Sequence, residues 1–160
     1  MERIAEIMDG LHKSIGIVTE LIKSVPESRL LARRKEGCWS VAEHAVHLGA
    51  GQKMLYERMD RFFKEDVINI TPYFPPEETD APLPGMADVE EALQMFATWR
   101  EKQLELLGRA GEAEWNKKAI HPEYEAYTLY IVARHILLHD YWHLYRMEQL
   151  WLTTDAYFEG

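Results

Sequence analysis

Four separated stretches of the chain place apolar residues three and four apart, and this spacing limits the possible folds more than any other feature. The first runs through Ile4, Ile7, Met8, Leu11, Ile15, Val18, Leu21, Ile22 and Val25, and Pro26 ends it because proline cannot donate to a helical turn. The second opens at Ser40, with Glu43 three residues on, a pair able to satisfy each other's backbone amides. Its stripe of Val41, Ala45, Leu48, Leu55, Met59 and Phe62 predicts a helix from Val41 to about Lys64. Asp88 with Glu91 repeats the capping signal before Val89, Leu93, Phe96, Trp99 and Leu107, a third helix ending near Gly108. Thr128 is the expected cap of a fourth, which carries Leu129, Val132, Ile136, Met147 and Leu150 and ends near Leu152. With no alternating segment and no internal repeat, this pattern predicts an all-α four-helix bundle, a single domain over residues 1–160.

Between the second and third helices, Glu65 to Ala87 holds Pro72, Pro75, Pro76, Pro82 and Pro84, which deny it helix continuity. This long connection is expected to flank the mouth of any site, with Tyr73 and Phe74 as apolar contacts for a ligand, or to be a static link. The connection from Arg109 to Tyr127 carries Trp115, His121 and Pro122. The tryptophans read as packing. Tyr141, Trp142 and Tyr145 lie off the buried stripe of the fourth helix, for a partner helix or a neighbouring loop to cover.

A net charge of -9 lacks the basic footprint of a phosphate-backbone binder, so nucleic acid is not an expected partner. Cys38 is the only cysteine, which excludes an internal disulfide and any cysteine-cluster metal site and makes reducing cytoplasm the default compartment. Residues 1–10 carry acids where an export signal needs a basic start, and no apolar run reaches membrane-spanning length, so neither export nor a membrane span is expected. Cys38, just before the second helix, reads either as a thiolate favoured by the helix dipole or as a small packed filler.

The histidines cluster. His44 and His47 share the second helix, and His135, His139 and His143 occupy successive turns of the fourth. Histidines four apart on a helix lie about 6 Å from one another on one face, close enough to share an ion. At about 100° per residue, His139 and His143 fall on the buried stripe of the fourth helix, with His135 about 80° off at its edge. Two stacked buried imidazoles need several polar partners or a common cation. On the second helix, periodicity favours His44, about 40° from the stripe centre, over His47, about 100° off on a flank. A bundle helix touches two neighbours, however, so a flank residue can still face one of them. His44 also has a packing role open to it, against Trp39 just before the cap.

The segment WSVAEHAVHL, Trp39 to Leu48, resembles the Trp-Ser opening and His-Leu close of the second helix in the DinB/YfiT-like metalloprotein superfamily, and His139-Asp-Tyr-Trp-His143 resembles its H-x-x-x-H pair. The resemblance covers most of the chain. It implies a metal site formed by His47, His139 and His143, and so decides against His44. Where that family often carries a glutamine, three residues after the last histidine, this chain has Arg146. Its fixed charge is expected to point to a substrate anion or to pair with an acid such as Asp140 or Glu148. Asp140 is open to two readings, an acceptor that orients a ligand histidine or a solvated acid. Three neutral imidazoles on one side of a divalent ion, zinc or nickel, leave positions open for water or a substrate atom. Thiol transferases and isomerases in the family imply a low-molecular-weight thiol cosubstrate, a small-molecule substrate and a homodimer. The expected function is thus a metal-dependent transferase or hydrolase activating a thiol or water. A non-catalytic, metal- or ligand-binding stress protein is the alternative, and a bundle whose histidines are only core polar groups is the plainest.

Overall fold

The computed structural model describes residues 2–72 and 82–159. Four long helices form the bundle: α1 (Glu2–Ser24), α3 (Val41–Lys64), α4 (Met86–Gly108) and α6 (Leu129–Leu152). Short helices α2 (Glu27–Leu30), α5 (Glu112–Asn116) and α7 (Asp155–Glu159) accompany them, so Pro26 both ends α1 and opens α2. The expected caps of α3 and α6 are present. Ser40 Oγ accepts from the Glu43 amide at 3.1 Å while Glu43 accepts from the Ser40 amide at 2.7 Å, and Thr128 Oγ1 accepts from the Ile131 amide at 3.3 Å. The start of α4 differs from expectation. Asp88 is not its cap but its third residue, reaching back to accept from the Gly85 amide at 2.7 Å, so the helix begins at Met86.

Helix directions follow from which ends share a core. Ile7 and Leu11 of α1 pack in one apolar cluster with Met59 and Phe62 of α3, Leu106 and Leu107 of α4, and Leu129, Val132 and Ile136 of α6. Val18, Ile22 and Val25 pack in a second with Val41 and Leu48, Val89 and Phe96, and Met147 and Leu150. Early residues of α1 and α6 therefore meet late residues of α3 and α4, so the first two helices run one way and the other two the opposite way. Each pairs with two neighbours, α1 with α4 and α6, and α3 with the same two. Parallel neighbours cannot be joined by a tight turn, because the chain must travel back the length of a helix, about 35 Å. That is the physical reason for the long connection after α3. The α3 and α4 backbones touch at Gly49, where an added Cβ would sit 2.5 Å from the Ala92 carbonyl oxygen.

The start of the long connection is anchored. Ile68 and Ile70 are buried, the Ile70 amide donates to Ile120 O at 2.9 Å, and the Ile120 amide donates to Ile68 O at 2.8 Å. Beside it, β1 (Lys118–Ala119) pairs antiparallel with β2 (Tyr127–Thr128), Lys118 opposite Thr128. No strand is expected from the sequence, and two-residue strands are too short for alternation to show. Among the described residues, no helix is long and apolar enough to cross a membrane.

Between the two apolar clusters lies a polar layer. Arg100 and Asp140 are both 0% exposed, and the guanidinium donates to the carboxylate at 2.6 and 3.2 Å. Ser14 Oγ, Gln52 Oε1 and Gln103 Oε1 accept its remaining N–H groups at 2.7, 3.1 and 2.8 Å. This corrects both readings of Asp140. It is neither solvated nor hydrogen-bonded to a histidine, because a buried arginine claims both of its oxygens.

Candidate metal centre

The capping box at Ser40 fixes the first turns of α3, and Arg33 tightens it by donating to Glu43. His44 and His47 follow within two turns. Opposite them, α6 runs antiparallel and presents His139 and His143 to α3. His47 Nε2 lies 3.3 Å from His139 Nε2, and His143 Nε2 lies 3.1 Å from the same atom. The ligand atoms of His47, His139 and His143 all fall within 4.8 Å of one another. Tetrahedral coordination at about 2.0–2.1 Å would hold two imidazole nitrogens about 3.4 Å apart.

Hydrogen bonding alone accounts poorly for this cluster. The Nε2 of His139 carries either one proton or one lone pair, yet two other Nε2 atoms address it. On its other side, His139 Nδ1 is a buried polar atom with no hydrogen-bond partner among the described residues. Three lone pairs meeting one cation satisfy all three front nitrogens, so these residues fit a divalent ion.

The remaining histidines are sorted by the same geometry. His44 is 4% exposed, as its periodicity requires, but its Nδ1 lies 2.8 Å from Nδ1 of His143, on the far side of that ring from the cluster. It also packs edge-on against Trp39, ring centroids 5.2 Å apart. His143 is 3% exposed, whereas His139 is half-buried, and the fully buried position between them belongs to Asp140. The fourth-helix stripe thus points between two neighbours, with His139 on the flank facing α3. His135 stands apart from the three, half-buried against Tyr124 and Tyr127 at 5.2 and 5.7 Å. Arg146 pairs with neither Asp140 nor Glu148; it donates to Gln149 Oε1 at 2.7 Å. Asp140 is taken by Arg100, and Glu148 projects to solvent.

A cavity of about 1150 Å³ opens onto the histidines. Its walls include Trp39, Met54, Leu55, Val132 and Ile136, with Cys38 half-buried at the rim. Trp142 and Tyr145 line it while remaining 55% and 62% exposed, and Tyr141 is also exposed, so none of the three is covered by a described loop. Tyr73 and Phe74 lie outside the described residues.

Burial keeps the imidazoles neutral. It is the main cause holding His44 and His47 down to about 4 and His143 down to about 2, with Arg146 and His47 adding to the effect on His44, and neighbouring histidines to the effect on the other two. Burial also lowers His139 and His135. Neutral imidazole is the ligating form. In metal-free protein these depressed values leave the unfolded chain holding more protons than the folded one below pH 6.5. Stability is therefore expected to be flat above about pH 7 and to fall as pH drops from 6.5 towards 4, by up to about 1.4 kcal/mol per pH unit for each fully buried histidine. Urea unfolding of chelator-treated protein from pH 8 to 4.5 measures this, with His143→Phe giving a shallower slope. An unchanged slope would contradict it.

Comparison with known proteins agrees with the fold. YfiT from Bacillus subtilis, described as a probable metal-dependent hydrolase with an unusual four-helix bundle topology, superposes with a TM-score of 0.78 at 18% identity, over 94% of this chain and 86% of its own. Among curated proteins no sequence matches significantly. The model of the DinB superfamily matches residues 11–153, and the chain belongs to that superfamily.

Proposed function

We propose that this protein is a divalent-metal-dependent enzyme whose ion, zinc or nickel, is held by His47, His139 and His143, and that it presents a low-molecular-weight thiol or water to a small-molecule substrate. The convergence of three Nε2 atoms at the floor of a cavity carries this reading. A divalent ion supplies the means to deprotonate a coordinated thiol or water near neutral pH. The chain supplies the rest. Burial keeps the ligand imidazoles unprotonated, Met54, Leu55, Val132 and Ile136 give an apolar wall, and Trp39 stacks over His143 at 6.3 Å. The likeness to YfiT, a protein described as a metal-dependent hydrolase, supports the same class of chemistry.

His44 has a defined part in this arrangement. If Nε2 of His143 is the ligand, its proton sits on Nδ1 and is donated to Nδ1 of His44, 2.8 Å away, which fixes the tautomer and the ring plane. His44→Gln retains an acceptor and is expected to keep metal affinity close to that of the parent. His44→Phe fills the space without an acceptor and is expected to weaken binding by about 10–100-fold. Chelator competition measures both, and equal affinities in the two variants would contradict the role.

Turnover is tested by assaying metal-loaded protein for conjugation of an electrophile with a panel of cellular thiols, and for ester hydrolysis without thiol. Activity in either assay that disappears in His139→Ala is the expected result. Absence of turnover in both would leave a metal-binding protein rather than an enzyme.

A further inference from the structure

The arginines of this chain divide by what they face. Arg29, Arg33, Arg34, Arg61 and Arg100 each hold a carboxylate. Arg3, Arg109 and Arg134 are exposed to water. That leaves Arg58 and Arg146, both half-buried, both lining the cavity, and neither with a carboxylate in ion-pair range among the described residues. Of the described lining residues, Glu123 is the one acid. A chain of net charge -9 has thus built a cavity of the opposite sign around its histidine cluster. A half-buried guanidinium whose hydrogen-bond partners are all neutral keeps its charge uncompensated and is available to an anion from outside.

The two arginines are at different distances from the cluster. Arg58 is eleven residues beyond His47 on α3, about 16 Å along the helix. Arg146 is three residues beyond His143 on α6, about 4.5 Å along it. The Arg146 guanidinium is also held in place. Its Nη1 donates to Gln149 Oε1 at 2.7 Å, and Gln149 Nε2 donates in turn to Tyr145 Oη at 2.9 Å, which leaves the other edge of the fork for a ligand. The free edge of a planar guanidinium matches the two coplanar oxygens of a carboxylate.

We propose that Arg146 binds the carboxylate of the substrate or thiol cosubstrate, while another atom of the same molecule meets His47, His139 and His143. The proposal rests on the metal-centre reading and adds the chemical class of the ligand. Arg146 acts by direct contact with that ligand, and a planar guanidinium paired with a carboxylate strengthens binding beyond what a neutral partner gives.

Cobalt-loaded protein tests it. Titration with 3-mercaptopropionate and with its neutral counterpart 3-mercaptopropionamide is followed by the thiolate-to-cobalt charge-transfer band. A second pair, 3-hydroxypropionate and 3-hydroxypropionamide, offers an oxygen donor in place of the thiol and is followed by the cobalt d–d bands. The acid is expected to bind at least about tenfold tighter than the amide in both pairs. Arg146→Met is expected to abolish that preference, and Arg146→Lys to keep part of it. Equal binding of acid and amide by the parent protein, or a preference that survives in Arg146→Met, would overturn the proposal. The metal-centre reading fails separately, if cobalt does not bind at all. The thiol reading also fails separately, if cobalt binds and neither thiol produces the charge-transfer band while 3-hydroxypropionate is still preferred over 3-hydroxypropionamide.

Discussion

Protein purified without a histidine tag and without added metal is expected to carry close to one divalent ion per chain, and His139→Ala or His143→Ala to lose it. Both variants remove a nitrogen from a set of three, and each leaves two ligands that solvent can readily outcompete. His47→Ala is expected to behave in the same way, since its Nε2 completes the set from the opposite helix. The loss should exceed the roughly 10–100-fold typical of removing a supporting hydrogen bond, the range expected for His44→Phe. His135→Ala should leave the ion in place, because that ring packs on Tyr124 and Tyr127 instead. Elemental analysis with folding checked by circular dichroism distinguishes these outcomes. Retention of the ion in His47→Ala with loss in His44→Ala would show that the ligand on α3 had been misassigned. A metal-free parent protein that takes up no ion on repletion and dialysis would show that the cluster is only a polar core.

Periodicity located the elements well and the partners less well, and His44 and His47 show why. The angle of a residue from its helix stripe reports burial, and His44 is buried as that angle requires. Which side chains converge depends instead on which neighbour a flank faces, and α3 has two long-helix neighbours, α4 and α6. His47 meets α6 from the flank that a single-helix projection treats as peripheral. The caps at Ser40 and Thr128 were legible because their side chains do the capping. The start of α4 was not, because Gly85 has no side chain and the signal residue, Asp88, works from inside the helix. Helix direction was also hidden. It depends on where a connection ends, and five prolines after α3 predict a break in the helical pattern without revealing that α4 starts at the other end of the bundle.

Breaking the buried ion pair is expected to cost more than any surface change in this protein. Asp140→Ala leaves Arg100 charged and 0% exposed, with only neutral acceptors, Leu11 O, Ser14, Gln52 and Gln103, to solvate it, and a buried charge stripped of its partner typically costs about 3–5 kcal/mol. For a chain of 160 residues that corresponds to a fall in Tm on the order of 10 °C. Arg100→Met with Asp140→Leu removes both charges and should recover most of the loss, since Gln103 still donates to Gln52 Oε1 at 3.0 Å and Ser14 still donates to Leu11 O at 2.9 Å. Thermal unfolding of the two single variants and the double variant measures the coupling; additive losses would show that the pair does not act as a unit. The layer was readable in outline from the sequence. Ser14, Gln52, Arg100 and Asp140 each stand at a stripe position, between Leu11 and Val18, Leu48 and Leu55, Phe96 and Leu107, and Ile136 and His143. A polar residue interrupting the apolar stripe midway along every long helix is the trace of a shared layer, and only the directions of the helices decide that these four meet. Because Asp140 directly follows His139, the same ion pair anchors the turn of α6 that aims His139 at α3, so the double variant is also expected to bind metal less tightly than the parent despite its recovered stability.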